Sequence, residues 1–280
     1  MTYSLADLLY LMQRLRNPET GCPWDLQQDF ASVLPHTLEE AYEVADAIER
    51  QDWPHVEEEL GDLLFQVIFY GQIAAERQLF STESIIDKLV KKLVRRHPHV
   101  FPDGTLQSER QPNNKLTETQ IKASWEAIKQ QEKADQLSAK PEDKPQSKPL
   151  LDEVPNTFPA LTRAVKLQKK ASKVGFDWPN IDGVFEKVSE ELLELKAELA
   201  ISDNKQRQQE ELGDLLFTIV NLARHLDIDP EAALRGCNTR FHQRFNLVEQ
   251  QIEQQGGWTQ ANADSMEKAW QKAKKSSTLN

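Results

Sequence analysis

Glu40 and Glu43 stand three residues apart, as do Glu59 and Asp62, and Glu191 with Glu194 and Glu211 with Asp214 repeat both spacings later in the chain. On a helix, residues three apart share a face, so each pair presents two carboxylates side by side. The second pair always sits in the octapeptide EELGDLLF, found at residues 58–65 and again, letter for letter, at 210–217. Carboxylates crowded together repel unless they are protonated or neutralised. A hard divalent cation held by oxygen ligands resolves that repulsion, and with few other ligand types nearby the donor set suits Mg2+.

The elements that must position these acids are helical hairpins. The midpoint between Glu43 and Glu59 is residue 51, and that between Glu194 and Glu211 falls between Ser202 and Asp203. Two antiparallel helices joined at such a midpoint bring their carboxylate pairs to one height. Four acids then converge in each hairpin, Glu40, Glu43, Glu59 and Asp62 in the first and Glu191, Glu194, Glu211 and Asp214 in the second. In TLEEAYEVADAIER, residues Leu38, Tyr42, Ala45 and Ile48 fall on one face. Thr37 is the predicted N-cap, with Glu40 completing a capping box. The next helix is predicted to begin around Asp52 and Pro54, proline suiting a first turn. Asp62 lies in LGDLLFQVIFY and Asp214 in LGDLLFTIV, helices apolar almost all round, so both aspartates are predicted to be buried. Gly61 and Gly213 are predicted to let a neighbouring helix approach beside the acid.

The repeat extends beyond the acids. GCPWD precedes the first hairpin and GFDWP the second; Lys92 and Arg96 match Arg240 and Arg244; Trp125 with Lys129 matches Trp270 with Lys274. Four blocks in one order indicate a duplicated module. Between the copies, KADQLSAKPEDKPQSKP has three prolines, alternating charge and one large apolar residue, Leu137, which cannot build a core. The expected organisation is a module over 1–132, a linker over 133–152 and a module over 153–280. No run alternates with period two, so the fold class is all-α: two tandem helical bundles joined by a charged, proline-bearing linker.

A net charge of −11 argues against nucleic acid as a partner. It leaves room for a small anionic ligand, which the Lys92–Arg96 and Arg240–Arg244 pairs could hold by phosphate oxygens. The Trp-x-x-x-Lys ends place a ring and a cation on one face, for stacking a base and reaching a phosphate or for capping a core. Trp24 and Trp178 read as core or cleft wall, and His97 and His99 as structural. Cys22 and Cys237 form no disulfide framework, and a reducing, cytoplasmic setting is the expectation. No apolar run approaches the ~20 residues that span a bilayer, and the N-terminal segment reads as an amphipathic helix, not a signal peptide.

Taken together, the paired acids in two helical hairpins, with GCPWD, RRHPHVF, VGFDW and NLARHL, resemble the MazG family of nucleoside triphosphate pyrophosphohydrolases. The resemblance covers both halves and excludes the linker. It implies an all-α fold that dimerises tightly, and Mg2+-dependent hydrolysis of a nucleoside triphosphate to the monophosphate and pyrophosphate. It assigns metal ligation to Glu191, Glu194, Glu211 and Asp214 in the second copy and to Glu40, Glu43, Glu59 and Asp62 in the first. Glu190, with Glu39 as its counterpart, precedes the first ligand, and Glu190 or Glu194 is the expected proton acceptor. Phosphate and nucleotide contacts fall on Lys187, Arg240, Arg244, Trp270 and Lys274, with Lys92, Arg96, Trp125 and Lys129 in the first copy. Arg240 stands where related sequences often carry lysine, as Lys92 does here. The substrate range stays open between broad nucleotide cleansing and a narrower dUTP- or dCTP-type activity, as does a non-catalytic nucleotide sensor. The second copy is the favoured main site.

Overall fold

The structure is a computed structural model describing residues 2–110, 116–138, 149–201 and 204–276. Among them all regular structure is helical. The chain divides into two compact units, Met1–Glu142 and Asp143–Asn280.

The first unit comprises α1 (Leu5–Leu15), α2 (Pro23–Gln27), α3 (Phe30–Glu49), α4 (Trp53–Glu76), α5 (Thr82–Arg96) and α6 (Glu118–Ser138). Its centre is the α3–α4 hairpin. α3 begins well before Thr37, correcting the predicted cap: Asp29 accepts from the Ala31 and Ser32 amides, and the Ser32 hydroxyl closes a capping box on the Asp29 N–H. That box starts a helix that carries Pro35 in its second turn. Thr37 instead bonds the Val33 carbonyl at 3.2 Å and the Tyr70 hydroxyl at 2.8 Å, tying α3 to α4. The hairpin turns at Gln51, whose φ of 57° is left-handed. The Asp52 amide reaches the Ala47 carbonyl and the Gln51 amide that of Ile48, each at 3.0 Å, which satisfies the last carbonyls of α3. α4 then starts where expected, with Asp52 as cap and Pro54 in the first turn.

The core of this unit joins Met12 of α1, Val33 of α3 and Ile68, Phe69 and Ile73 of α4, with Phe30, Phe65 and Tyr70 packed around them. Phe30 and Tyr70 stack with centroids 5.8 Å apart. The face of α3 that carries Leu38, Tyr42 and Ile48 is open, each of the three being about half exposed. Within one chain α3 turns Val33 and Ala47 inward instead.

The second unit holds a 3-10 turn at Leu150–Glu153, then α7 (Ala160–Ser172), α8 (Ile181–Glu198), α9 (Lys205–His225), α10 (Pro230–Gln254) and α11 (Ala263–Ser276). α8 and α9 repeat the α3–α4 hairpin; Ser202 and Asp203, at its expected turn, lie outside the described residues. α7 packs on α9, its Gln168 donating to the Phe217 carbonyl at 2.8 Å. α10 and α11 form a second hairpin around Val248, Ile252, Ala269 and Ala273.

The expected linker is shorter than its composition suggests. α6 continues through Ser138, since no proline interrupts that stretch before Pro141. Residues 139–148 lie outside the described set, and Leu150–Glu153 is tied into the second unit by Lys170, which bonds the Leu150 carbonyl and the Glu153 carboxylate.

Phe69 is 1% exposed at the centre of the first core. Replacing it with alanine is expected to lower stability by about 3–5 kcal/mol, read as a fall in the denaturant midpoint; a loss below about 1 kcal/mol would show that α1, α3 and α4 do not share that core.

Candidate metal and nucleotide site

In each unit the hairpin gathers carboxylates. Glu40, Glu43 and Glu59 place ligand oxygens within 4.8 Å of one another, and so do Glu191, Glu211 and Asp214. Three of the four acids expected in each hairpin therefore converge. The fourth differs: Asp62 lies just outside the first set, and Glu194, exposed, outside the second.

Burial falls on different acids from those expected. Asp62 and Asp214 are exposed, whereas Glu59, Glu191 and Glu211 are only 7%, 5% and 5% exposed. The reason is geometric: the glutamates fall where α3 and α4, or α8 and α9, pack on each other, and the aspartates do not. Gly61 and Gly213 admit no close neighbour either, for a Cβ at each would stand in open space.

The crowding has an electrostatic signature. Burial raises the Glu40 carboxyl above its ordinary range, with the charges of Asp62, Glu43 and Glu59 adding to it and a bond from Gln66 opposing. Burial likewise raises Glu59, followed by repulsion from Glu43 and partly offset by His55. Asp62 is thus within electrostatic reach of its set. In the second unit, Glu191 Oε2 is buried and has no hydrogen-bond partner. An oxygen-only donor set, carboxylates that resist ionising together and an orphaned buried oxygen all fit a hard divalent cation.

Basic groups one helical turn before the buried acids were not foreseen, apart from Lys187. Lys187 Nζ lies 2.9 Å from Glu190 and 2.8 Å from Glu191. Arg207 pairs with Glu210 at 2.7 Å and also with Glu211. In the first unit the same register holds His36, 3.6 Å from Glu39, and His55, 3.6 Å from Glu58 and 3.1 Å from Glu59. The i−4 spacing from each buried glutamate was the available signal.

The expected nucleotide contacts lie on other helices. Both Trp-x-x-x-Lys ends form as cation–ring pairs, Lys129 at 4.1 Å from the Trp125 centroid and Lys274 at 5.7 Å from that of Trp270. Trp270 lines an aromatic cleft of about 270 Å3 with Phe241, Phe245 and Trp258. Arg240 is exposed and Arg244 half-buried on the same α10. Lys92 is exposed on α5, while Arg96 is engaged by Glu132 of α6 through bonds as short as 2.6 Å, shared with Arg95. His97, set against Trp125 at 6.3 Å and bonded to the Leu93 carbonyl, has a structural role. Trp178 walls an apolar cavity of about 260 Å3 beside α9 with Phe176, Phe217 and Asn221. Asp177 of the same motif receives Arg224 and His225.

A model of the MazG nucleotide pyrophosphohydrolase domain matches residues 28–101, the stretch that carries the first acid set. The nucleoside triphosphate pyrophosphohydrolase of Escherichia coli strain K12 is 44% identical over 271 residues, 96% of each chain. The nucleoside triphosphate pyrophosphohydrolase/pyrophosphatase MazG of Thermotoga maritima is 41% identical over 269 residues, 96% of this chain and 94% of its own. An uncharacterised Bacillus subtilis protein, YabN, is 39% identical over 94% of this chain and 50% of its own length.

The Glu132 clamp generates a pH dependence. Its bond to Arg96, aided by Arg95 and opposed by burial, lowers the Glu132 carboxyl from 4.5 to about 2. Because the folded value lies below the unfolded one, the clamp's contribution is fully present above about pH 4.5 and is lost as pH falls through about 2. A stability gap between the native protein and Glu132→Gln is expected at neutral pH, closing across that window in denaturant titrations; a gap independent of pH would rule out the ionised clamp.

Proposed function

The chain belongs to the MazG nucleotide pyrophosphohydrolase family, and on that footing we propose that it hydrolyses nucleoside triphosphates to the monophosphate and pyrophosphate with Mg2+ as cofactor. The observation that carries this reading is a three-carboxylate cluster in the hairpin of each unit, with an orphaned buried oxygen on Glu191. The relatives are named for the same reaction. A broad range of ribo- and deoxynucleotides is the substrate class we assign, and the cytoplasm the compartment. Among the described residues no helix is long and apolar enough to cross a membrane.

Glu191, Glu211 and Asp214 would hold the ion in the second module, with Glu194 beside them, and Glu40, Glu43, Glu59 and Asp62 in the first. A divalent ion there supplies Lewis-acid charge to the phosphate oxygens and to the attacking water. The protein's own part is to bind and to move a proton. Glu194, exposed and outside the three-acid set, is placed to accept the proton of the attacking water, more freely than Glu190, which Lys187 engages. Lys187, Arg240, Arg244 and Lys274 are assigned to the polyphosphate, neutralising charge that builds on the departing pyrophosphate. Trp270 and its cleft offer a surface for the base.

We assign a homodimer as the working assembly. Leu60, Leu64 and Val67 of α4 stand 49%, 44% and 39% exposed, and Leu212, Leu216 and Ile219 of α9, in the same register, 47%, 47% and 44%. Matching apolar stripes of this kind suit burial against a second copy. The second module is taken as the main site.

With Mg2+ and a panel of nucleoside triphosphates, monophosphate and pyrophosphate are the expected products. Glu211→Gln is expected to lower turnover by at least about 100-fold, and Glu59→Gln far less. Release of orthophosphate in place of pyrophosphate, or no turnover of any nucleotide by the native protein, would refute the reading.

A further inference from the structure

Two motifs that the acid clusters leave unused, VGFDW and NLARHL, meet at one cavity of the second unit. It lies between α7 and α9, holds about 260 Å3 and is walled by Phe176, Trp178 and Phe217, with Gln168, Asn221 and Arg224 among its polar residues. Trp178 is seated on α8 where only glycine fits, since a Cβ on Gly183 would stand 2.5 Å from the indole Cδ1. Gln168 and Asn221 are 7% and 3% exposed. Gln168 donates through Nε2 to the Phe217 carbonyl at 2.8 Å, and its buried Oε1 has no hydrogen-bond partner among the described residues. Asn221 accepts from Arg224 Nε at 2.8 Å, so its amide N–H groups are the end left to donate. Arg224 is fixed in turn by Asp177.

The internal repeat marks this arrangement as more than packing. Asn221 stands four residues after EELGDLLF, the position that Phe69 holds in the first copy. Phe69 is 1% exposed at the centre of its core. On the same scaffold, the second copy carries a buried amide beside a cavity where the first carries a core ring. A buried amide oxygen without a partner is costly, and a cavity walled mostly by carbon leaves water short of partners. A flat heteroaromatic ring answers both deficits, its faces suiting the aromatic walls and an N–H on its edge suiting Gln168 Oε1.

From this we infer that the cavity between α7 and α9 binds a nucleobase, Gln168 accepting from and Asn221 donating to the edge of the ring. The cleft at Trp270 can stack a ring, but its lining contains no amide, so a choice among bases falls to the α7–α9 cavity. Two sources supply such a ring. One is the substrate triphosphate itself, since Asn221 lies two turns beyond Asp214, about 10 Å along α9; this source rests on the hydrolase reading above. The other is a separate nucleoside, bound while the substrate uses the Trp270 cleft.

The test uses the full-length protein in chelator with adenosine, guanosine, cytidine and uridine as probes, so that neither metal nor phosphate takes part, binding being read by calorimetry. At least one nucleoside is expected to bind. Gln168→Leu, which removes the acceptor, is expected to weaken it by about tenfold. Ala171→Leu, which fills the cavity from α7 and leaves both amides in place, is expected to abolish it. Thermal melting checks that each variant folds, and either one alone keeps the inference testable. With Mg2+ and a triphosphate, a nucleoside that raises KM at unchanged kcat assigns the base to the substrate, and one that alters kcat at unchanged KM assigns it to a second molecule. No nucleoside bound by the native protein, or binding that folded variants leave intact and Trp270→Ala abolishes, overturns the inference while hydrolysis stands. Nucleoside bound as expected by a protein that turns over no triphosphate refutes the hydrolase reading and leaves the cavity's ligand as inferred.

Discussion

The mutual repulsion of carboxylates at the centre of a helical hairpin is the constraint on which the rest of each module depends. Glu59, Glu191 and Glu211 are all but removed from water, and a buried carboxylate without a partner costs several kcal/mol. A long hairpin is the simplest scaffold able to hold such groups against one another. Helices of 20 and 24 residues in the first unit and of 18 and 21 in the second extend well past the acids on both sides. They are fastened by apolar contacts remote from the charge, such as Phe30 on Tyr70 and the Thr37–Tyr70 bond. Folding energy gained in those contacts holds the acids where they would not settle on their own.

Both modules answer that constraint, but with different local balances. Protonation, a paired cation and a bound ion are the three ways to quiet a carboxylate cluster. In the first unit burial, together with the neighbouring acids, pushes the carboxyls of Glu40 and Glu59 up. The second unit uses the second way, with Lys187 and Arg207. A bound ion is the answer proposed for both, and it is the one that would bring chemistry with it. The cation side of the site diverges in parallel. α5 and α10 each begin ten residues before the equivalent Lys92 and Arg240, but α5 stops at Arg96, where His97 and Pro98 follow, while α10 runs on to Gln254. Glu132 then takes both terminal arginines of α5, whereas the position seven after Trp270 is Ser277, which carries no charge.

What could be read from sequence was the periodic part. Carboxylates three apart on two helices, a turn at Gln51 midway in the first hairpin, a helix start at Asp52 and Pro54 and a ring and a cation together at each closing tryptophan all follow from helical geometry, and all are present. The misreadings share one cause, which is that sequence does not say what covers a helix. An α4 rich in leucine reads as buried all round, yet the face that carries Leu60, Asp62 and Leu64 is left open by the chain, and Gly61 meets nothing. Thr37 has the chemistry of a cap, but Asp29 with Ser32 caps earlier, and the threonine side chain was needed for Tyr70 instead. Arg207 was passed over because a charged residue on a polar helix is ordinarily a solvated one; only its place one turn before Glu211 marks it out.

The exact recurrence of EELGDLLF follows from two demands made on the same eight residues. Glu59 and Glu211 are buried against the hairpin partner, and each brings a carboxylate into its unit's three-acid cluster. Leu60 and Leu64, like Leu212 and Leu216, lie on a separate face that the chain itself leaves uncovered. On the proposed reading, one face of this helix serves an ion and another a partner, which leaves few neutral positions. Between these faces a glycine is tolerated in both copies although helix propensity disfavours it by about 1 kcal/mol, and open space around each glycine means that no contact within the chain requires it. The proposed second copy, lying against the apolar stripe, would give the glycine a role, since backbone without a side chain allows the closest approach of another helix.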